Sequence, residues 1–390
     1  MKIAHIITRM IIGGAQENTL LSCMGQVRDG HEVILITGPT TGPEGKLLEK
    51  HDTTGLKIIE VEDLIRSINP LKDLRCYFVL RQIIKEEKFD VVHTHASKAG
   101  IIGRAAAWKE KVPAVIHTVH GPPFHRYEKA WKNRLYIESE KFAAKRCHQL
   151  LCVADAMTDQ YVEAGVAPRE KFKTVHSGMN LEPYTDEKDP SGVRKVVREE
   201  LNLDEDAVVV VKVARLFELK GHDFLIDAAE EVCKSHPKLY FVLVGDGLLR
   251  EEIEADLKKR GLSDRFRFTG LVPPTEVPRY VLASDILCHL SLREGLPRAV
   301  VQGLAAAKPA IAFNLDGAPE VVKNEQTGYL CRAENLEDVK VALSTLCESS
   351  EKRREMGASG CKLVKKLFST DRMVERLEEE YKILLKNGSK

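Results

Sequence analysis

A chain of 390 residues is too long for one ordinary core, and 43% hydrophobic with 30% charged residues describes a globular protein of about two domains. A formal net charge of +1 gives no ground for a nucleic-acid partner, and no apolar stretch approaches the roughly 18 residues of a membrane span. Nine cysteines, odd in number and without a C-x-x-C pair, read as reduced thiols in a cytoplasmic protein, so any membrane contact is expected to be peripheral, on the inner face.

Strand and helix patterns alternate along the chain, which argues for parallel sheets with helices on both faces. Met1-Lys-Ile-Ala-His-Ile-Ile-Thr8 has few apolar residues before Arg9 and Gly13, so it reads as a first strand and not as a signal peptide. Strands are predicted near 2–8, 32–37, 57–61, 90–94, 113–118, 149–153 and 172–175, with helices between them. Gly13 and Gly14 follow strand one directly, and without Cβ atoms they let the backbone approach a diphosphate or a sugar. His93-Thr-His95 closes strand four. Asp or Cys companions at ligand spacing are missing nearby, so no metal is expected, and His95, Ser97 and Lys98 are placed on the acceptor side. His120 ends strand five before the stiff turn Gly121-Pro-Pro, either as a rim imidazole or as a hydrogen-bonded structural one. Residues 104–146 carry ten Lys or Arg against four Glu, starting at Arg104, and are either an ordinary helix face or a surface for an anionic membrane or acidic acceptor. Residues 181–195, with two prolines and a glycine among polar residues, have the composition of a linker.

The second half restarts with strands near 207–214, 239–244, 266–269, 285–290 and 309–313. Asp204-Glu-Asp206 has an Asp-x-Asp form, but it precedes its strand in a polar loop and reads as a solvated turn. Val208 to Ala214 runs into Arg215-Leu-Phe-Glu-Leu-Lys-Gly221, and the apolar spacing from Phe224 is helical. Arg215 and Lys220 therefore flank a strand-to-helix loop, where a guanidinium fork and an ammonium can grip a diphosphate. Ser291-Leu-Arg-Glu-Gly-Leu-Pro297 repeats the arrangement: Glu294 sits in the loop, Pro297 suits the first helical position, and Gln302 lies more than a turn inside. Free N–H groups at that helix start attract phosphate, and a carboxylate beside them accepts hydrogen bonds from hydroxyls; complementing the helix dipole is the plainer role for Glu294. An amphipathic helix is expected over 370–385. Ligands in open parallel sheets bind beyond the carboxyl ends of the strands, so two such domains facing each other are expected to enclose a cleft.

With these motifs the chain resembles the family 4 retaining glycosyltransferases of the GT-B fold over nearly its whole length. The resemblance rests on Arg215 and Lys220, on Glu294 with position 302 as a Glu-x7-Glu signature, and on Gly13-Gly14-Ala15, Thr118-Val-His-Gly121, Ser177-Gly-Met-Asn180, Val244-Gly-Asp-Gly-Leu-Leu-Arg250 and Gly317-Ala-Pro-Glu-Val-Val322. It implies two Rossmann-like domains, an acceptor domain over 1–185 and a nucleotide-sugar domain over 190–369, with a helix of about 370–386 crossing back onto the first. It also implies a nucleoside-diphosphate sugar as co-substrate, most simply a UDP-sugar, and a metal-independent transfer with retention by front-face attack. Arg215, Lys220, Glu294 and His120 would be catalytic, with His120 touching the transferred sugar. Donor contacts would come from Gly13, Gly14, Gly245, Gly295, Leu296, Pro297 and Gln302. Gln302 departs from the family, which has its second Glu there against the ribose. Val115-Ile-His-Thr-Val-His-Gly121 and Ser97-Lys-Ala-Gly100 are similar to bacterial members that build cell-surface polysaccharide on lipid carriers, implying a sugar or lipid-linked acceptor. A sugar-nucleotide epimerase of the same fold and a non-catalytic nucleotide-sugar-binding protein stay open beside this reading. An NAD dehydrogenase is disfavoured because Gly13-Gly14-Ala15 lacks the G-x-G-x-x-G spacing.

Overall fold

The computed structural model describes residues 1–41, 45–186 and 190–388. They form two compact units, Met1–Met179 with Phe368–Lys390, and Asn180–Leu367. In the first, strands and helices alternate as β1 (Lys2–Ile7), α1 (Gly14–Arg28), β2 (Glu32–Thr37), β3 (Lys57–Glu60), α2 (Pro70–Glu87), β4 (Val91–His95), α3 (Ser97–Lys109), β5 (Ala114–Val119), α4 (Ala130–Ala144), β6 (Gln149–Cys152), α5 (Asp155–Glu163) and β7 (Phe172–Thr174). The second holds α6 (Glu182–Thr185), α7 (Pro190–Glu200), β8 (Val208–Val213), α8 (His222–Ser235), β9 (Leu239–Val244), α9 (Arg250–Lys259), β10 (Phe266–Gly270), α10 (Val277–Ala283), β11 (Ile286–His289), α11 (Arg298–Ala305), β12 (Ala310–Phe313), α12 (Ala318–Val321), β13 (Gly328–Cys331), α13 (Leu336–Glu348) and α14 (Ser350–Leu367). A last helix, α15 (Thr370–Gly388), belongs to the first unit.

Each unit is built on one parallel sheet, ordered β3-β2-β1-β4-β5-β6-β7 and β10-β9-β8-β11-β12-β13. In both, the chain reverses its direction of travel between the first strand and its other neighbour, at β1/β4 and at β8/β11. Loops leaving the carboxyl ends of that central pair diverge to opposite faces, which opens the crevice where such folds take ligands. The strands are apolar runs because both faces are covered: Val210, Phe241, Leu243 and Ile286 meet Leu225, Ala229, Leu257 and Leu343 in one continuous core. In the first unit Ile3, Val91, Ala114 and Ile116 pack against Met373, Leu377 and Tyr381, so the apolar stripe of α15 covers that sheet.

One expectation needs correction. The stretch 181–195 is not an open linker across its described residues: Pro183 and Pro190 occupy first helical turns, where a missing N–H costs nothing, and α6 and α7 follow. Arg194 and Arg198, one turn apart on α7, both pair with Asp285 at 2.8 Å, and Arg198 also donates to the carbonyls of Ala283 and Ala207, which ties α7 into the second unit. Residues 187–189 lie outside the described part. The division between units accordingly falls at Met179–Asn180 and Leu367–Phe368. One strand, β13, was not anticipated; its Gly328 has φ +155°, and a Cβ there would stand 1.9 Å from the Ala310 carbonyl oxygen of the adjoining strand.

Candidate active site

In the second unit the loop after β8 is drawn onto the end of β11. Gly221 adopts φ +65°, and a Cβ on it would sit 1.9 Å from the Leu290 carbonyl oxygen, so only glycine allows this approach. The N–H of Leu292 donates to the Leu219 carbonyl at 2.8 Å, and Ser291 Oγ lies 3.2 Å from the same oxygen. This lacing carries Lys220 to Glu294, with Nζ and Oε1 2.5 Å apart. Ser291 Oγ donates to the same carboxylate at 3.1 Å, and the Glu294 N–H donates to Asp316 Oδ2 at 2.7 Å, which holds the residue at both ends. Burial by itself raises the Glu294 carboxyl; the facing His289 and Lys220 and the Ser291 hydrogen bond outweigh it and hold it below its ordinary value. Burial also pushes the His289 imidazole down to about 4, so this ring is neutral near pH 7 and the ammonium of Lys220 carries the attraction.

Arg215 is exposed, its guanidinium stacked over the Phe217 ring at 4.8 Å. The loop carbonyl of Arg215 lies 3.1 Å from His222 Nε2, an imidazole that opens α8. Glu294 and Gly295 precede the buried Leu296 and Pro297, and Gln302 is partly buried in α11. Pro297 is the N-cap and not the first helical residue: its carbonyl accepts from the N–H groups of Val300 and Val301. Gly245 has φ +135°, and its missing Cβ leaves room for the Ala214 carbonyl, 2.2 Å from where that atom would be. Glycine at 245 is thus required by the fold, whatever a donor asks of it.

Four residues that the sequence reading passed over belong to this site: Lys212, His222, His289 and Asp316. Lys212 Nζ, His222 Nδ1 and His289 Nε2 are buried and have no hydrogen-bond partner among the described residues. Burial lowers Lys212 to about 8 and His222 to about 3, with the neighbouring cations adding to the effect. One sign was visible in advance, a charged residue inside the apolar run Val208–Val213.

In the first unit Gly13 is the N-cap of α1 and Gly14 its first residue. Gly13 is extended, at φ −178°, so strain does not select glycine there; a Cβ would come within 2.7 Å of the flexible Gln16 side chain. Ser97 is exposed at the start of α3, and Lys98 pairs with Asp73 of α2 at 2.5 Å. His120 follows β5 and is partly buried. The acceptor-side expectation for His95 is corrected: it is 0% exposed, and its two ring nitrogens meet His5 Nδ1 at 2.9 Å and His120 Nε2 at 3.1 Å.

His5 supplies the neighbour that a search along the sequence around His93 and His95 does not reach, because β1 pairs with β4 in a register that sets His5 beside His93. Ligating nitrogens of His5, His93 and His95 lie within 4.8 Å of one another, which makes them a conceivable metal group. Every one of those six nitrogens, however, already has a partner. His5 meets Gln26 and His95, His93 meets Tyr381 and Thr118, and His95 meets His5 and His120. These side chains form a satisfied hydrogen-bonded network.

Sequence comparison decides the family. Residues 12–183 match the model for Glycosyltransferase Family 4, and residues 193–362 match that for Glycosyl transferases group 1. The chain belongs to the family 4 glycosyltransferases. It is 29% identical over 351 residues, 88% of its length and 87% of the relative's, to the UDP-Gal:alpha-D-GlcNAc-diphosphoundecaprenol alpha-1,3-galactosyltransferase of Escherichia coli. It is 26% identical to the putative glycosyltransferase EpsD of Bacillus subtilis, covering 80% of this chain and 81% of that one. Among solved structures, HepE of Anabaena in complex with UDP-glucose superposes with a TM-score of 0.81 at 21% identity, over 97% of this chain and 99% of that one. WaaG, a glycosyltransferase involved in lipopolysaccharide biosynthesis, gives 0.71 at 17% identity, over 98% and 99%. The transferase therefore has the GT-B fold.

Among its described residues the transferase has no helix long and apolar enough to cross a membrane. Its basic window needs one correction, since Arg104 is fully buried and pairs with the buried Glu140 at 2.9 Å. The surface part of that window includes Lys109, Lys111, Arg126, Lys129 and α4 with its flanks, where Trp131, Leu135 and Phe142 are exposed among Lys132, Arg134, Lys145 and Arg146.

Proposed function

We propose that this glycosyltransferase moves a hexosyl or N-acetylhexosaminyl group from a UDP-sugar to a hydroxyl of a lipid-linked or polysaccharide acceptor, with retention of configuration and without a metal. The observation that carries the reading is the contact of Lys220 with Glu294 at the carboxyl ends of β8 and β11, on the switch point of the second sheet. An ammonium bound to a carboxylate is held in place before substrate arrives, so little reorganisation is needed when charge builds on the departing diphosphate. Arg215, exposed and reached from the same loop, adds the planar fork suited to phosphate oxygens. Glu294 then takes hydroxyls of the transferred sugar, and the start of α11 at Leu296 and Pro297 faces the β-phosphate. Gln302 meets the ribose through its amide. In the first unit, Gly13 and Gly14 give the sugar and diphosphate close access to backbone, and His120 contacts the sugar.

Support for the donor and acceptor classes comes from the relatives: the Escherichia coli protein is named for UDP-galactose and a diphosphoundecaprenol acceptor, and the HepE structures hold UDP and UDP-glucose. A lipid-linked acceptor asks for approach to a membrane surface, and the exposed Trp131, Leu135 and Phe142 beside basic residues of α4 suit peripheral contact with anionic headgroups. In the retaining reaction the acceptor oxygen forms the new bond to the anomeric carbon on the face the phosphate leaves, and the departing phosphate oxygen takes the acceptor proton.

The test is to incubate the protein with UDP-galactose, UDP-glucose and their N-acetyl counterparts, each with a GlcNAc-diphospholipid and EDTA present. Acceptor-dependent UDP release is expected with one of them, and the anomeric coupling in the product reports α. Turnover should fall by about a hundredfold in Lys220→Ala and in Arg215→Ala, as for other lost transition-state charge donors. A β-linked product, or full activity in both variants, would overturn the reading.

A further inference from the structure

We propose that Gln26, Tyr381, His95 and His5 form a directional hydrogen-bond chain that fixes the tautomer of His120, keeping its proton on Nε2 and its lone pair on Nδ1. The proposal rests on the reading of His120 as a sugar contact; the four residues are positioning residues that act through it. The side chains come from five elements or their ends: His5 from β1, Gln26 from α1, His95 from β4, His120 after β5 and Tyr381 from α15. His5, Gln26, His93, His95 and Tyr381 are all 0% exposed. Burial depresses the imidazoles, His5 to about 4 and His93 and His95 well below their ordinary value, so each ring is neutral and has one N–H and one acceptor nitrogen.

Direction enters at Tyr381. Its oxygen lies 2.5 Å from His93 Nδ1. A phenol is a stronger proton donor than an imidazole N–H, and an imidazole nitrogen is a stronger acceptor than a phenol oxygen, so a contact this short is one in which Tyr381 donates. His93 then carries its proton on Nε2 and donates it to Thr118 Oγ1 at 2.6 Å. Having spent its only proton, the Tyr381 oxygen accepts from the Gln26 amide nitrogen, 3.4 Å away, which turns the Gln26 carbonyl oxygen toward His5 Nε2 at 2.8 Å. His5 must therefore be protonated on Nε2 and accept on Nδ1. Across 2.9 Å that acceptor receives the N–H of His95 Nε2, which leaves His95 Nδ1 as an acceptor. At 3.1 Å the last donor is His120 Nε2. Reversing the Gln26 amide would reverse every later bond, so one buried amide selects between two complete proton arrangements.

The consequence is chemical. With its lone pair on Nδ1, His120 accepts a hydrogen bond from a sugar hydroxyl; in the other tautomer it would donate one. The chain thus links the helix that returns from the second unit's sequence, α15, to what the first unit can recognise in a transferred sugar.

The experiment is nitrogen NMR of the full chain with 15N-labelled histidine, His120 being assigned by the signal lost in His120→Asn. The chain predicts a protonated Nε2 and a bare Nδ1 for His120, His95 and His5 alike. A protonated Nδ1 at His120, or two tautomers averaging in the wild-type protein, overturns the proposal. Tyr381→Phe and Gln26→Met each remove the element that sets direction and should bring the His120 nitrogens toward an averaged position. If both variants keep the wild-type His120 signals, the chain does not select the tautomer. Turnover separates the two readings: averaged His120 signals with unchanged rates would leave the chain standing and remove His120 from the sugar site.

Discussion

Replacing Lys212 with methionine should stabilise the protein, and by an amount that depends on pH. The ammonium lies 1% exposed in β8, has no hydrogen-bond partner among the described residues, and is held by burial at about 8 against an ordinary 10.5. Its folded pKa is therefore below its unfolded one. Between about 8 and 10.5 the unfolded chain binds a proton that the native state does not, so stability rises with pH across that window at about 1.4 kcal/mol per pH unit. Below the window the full penalty applies, about 3 kcal/mol; at pH 9.5 only about 1 kcal/mol of it remains. Methionine has a similar length and no charge to bury, so Lys212→Met removes the term without opening a large cavity. Urea unfolding of both proteins at pH 7 and pH 9.5 should show the variant ahead by about 3 and then about 1 kcal/mol. A gain of the same size at both pH values, or a variant less stable than wild type at pH 7, would refute an ammonium buried at an energetic cost.

On the proposed reading of position 302, the amide would offer a ribose hydroxyl an acceptor without full charge. Hydrogen bonds to charged groups contribute roughly 1.5 to 3 kcal/mol against about 1 for neutral ones, so Gln302→Glu should tighten UDP several-fold. Gln302→Ala should weaken UDP binding by a similar factor and leave a 2′,3′-dideoxy nucleotide unaffected; calorimetric titration that shows equal losses for both ligands would detach the side chain from the ribose. On α4, changing Trp131 and Leu135 together to serine should reduce binding to phosphatidylglycerol vesicles at least tenfold in sedimentation, since a loss of only about 1.4 kcal/mol has that effect. Unchanged binding would remove this helix from any membrane contact.

The primary sequence on its own determined the fold class and most strand positions, because a parallel sheet covered on both faces demands apolar runs such as Val208–Val213 and Leu239–Val244, and these are local patterns. It also placed two charged loops: Arg215 and Lys220 stand just after a strand, and Glu294 just after another, so strand order alone brings them to one end of a sheet. Prolines misled at 183 and 190, where their effect depends on whether a helix begins or continues, a distinction that composition does not carry. Only tertiary structure decided that Lys220 reaches Glu294, through a close backbone approach at Gly221, and that Lys212 of β8 is buried without a hydrogen-bond partner among the described residues. Likewise His5, Gln26, His95, His120 and Tyr381 are separated by up to hundreds of residues along the chain, and strand register together with the return of α15 makes them neighbours. Hydrophobic periodicity says which side of an element is buried. What a buried polar group meets there depends on register and on packing between elements distant in sequence, and those exist only in the folded chain.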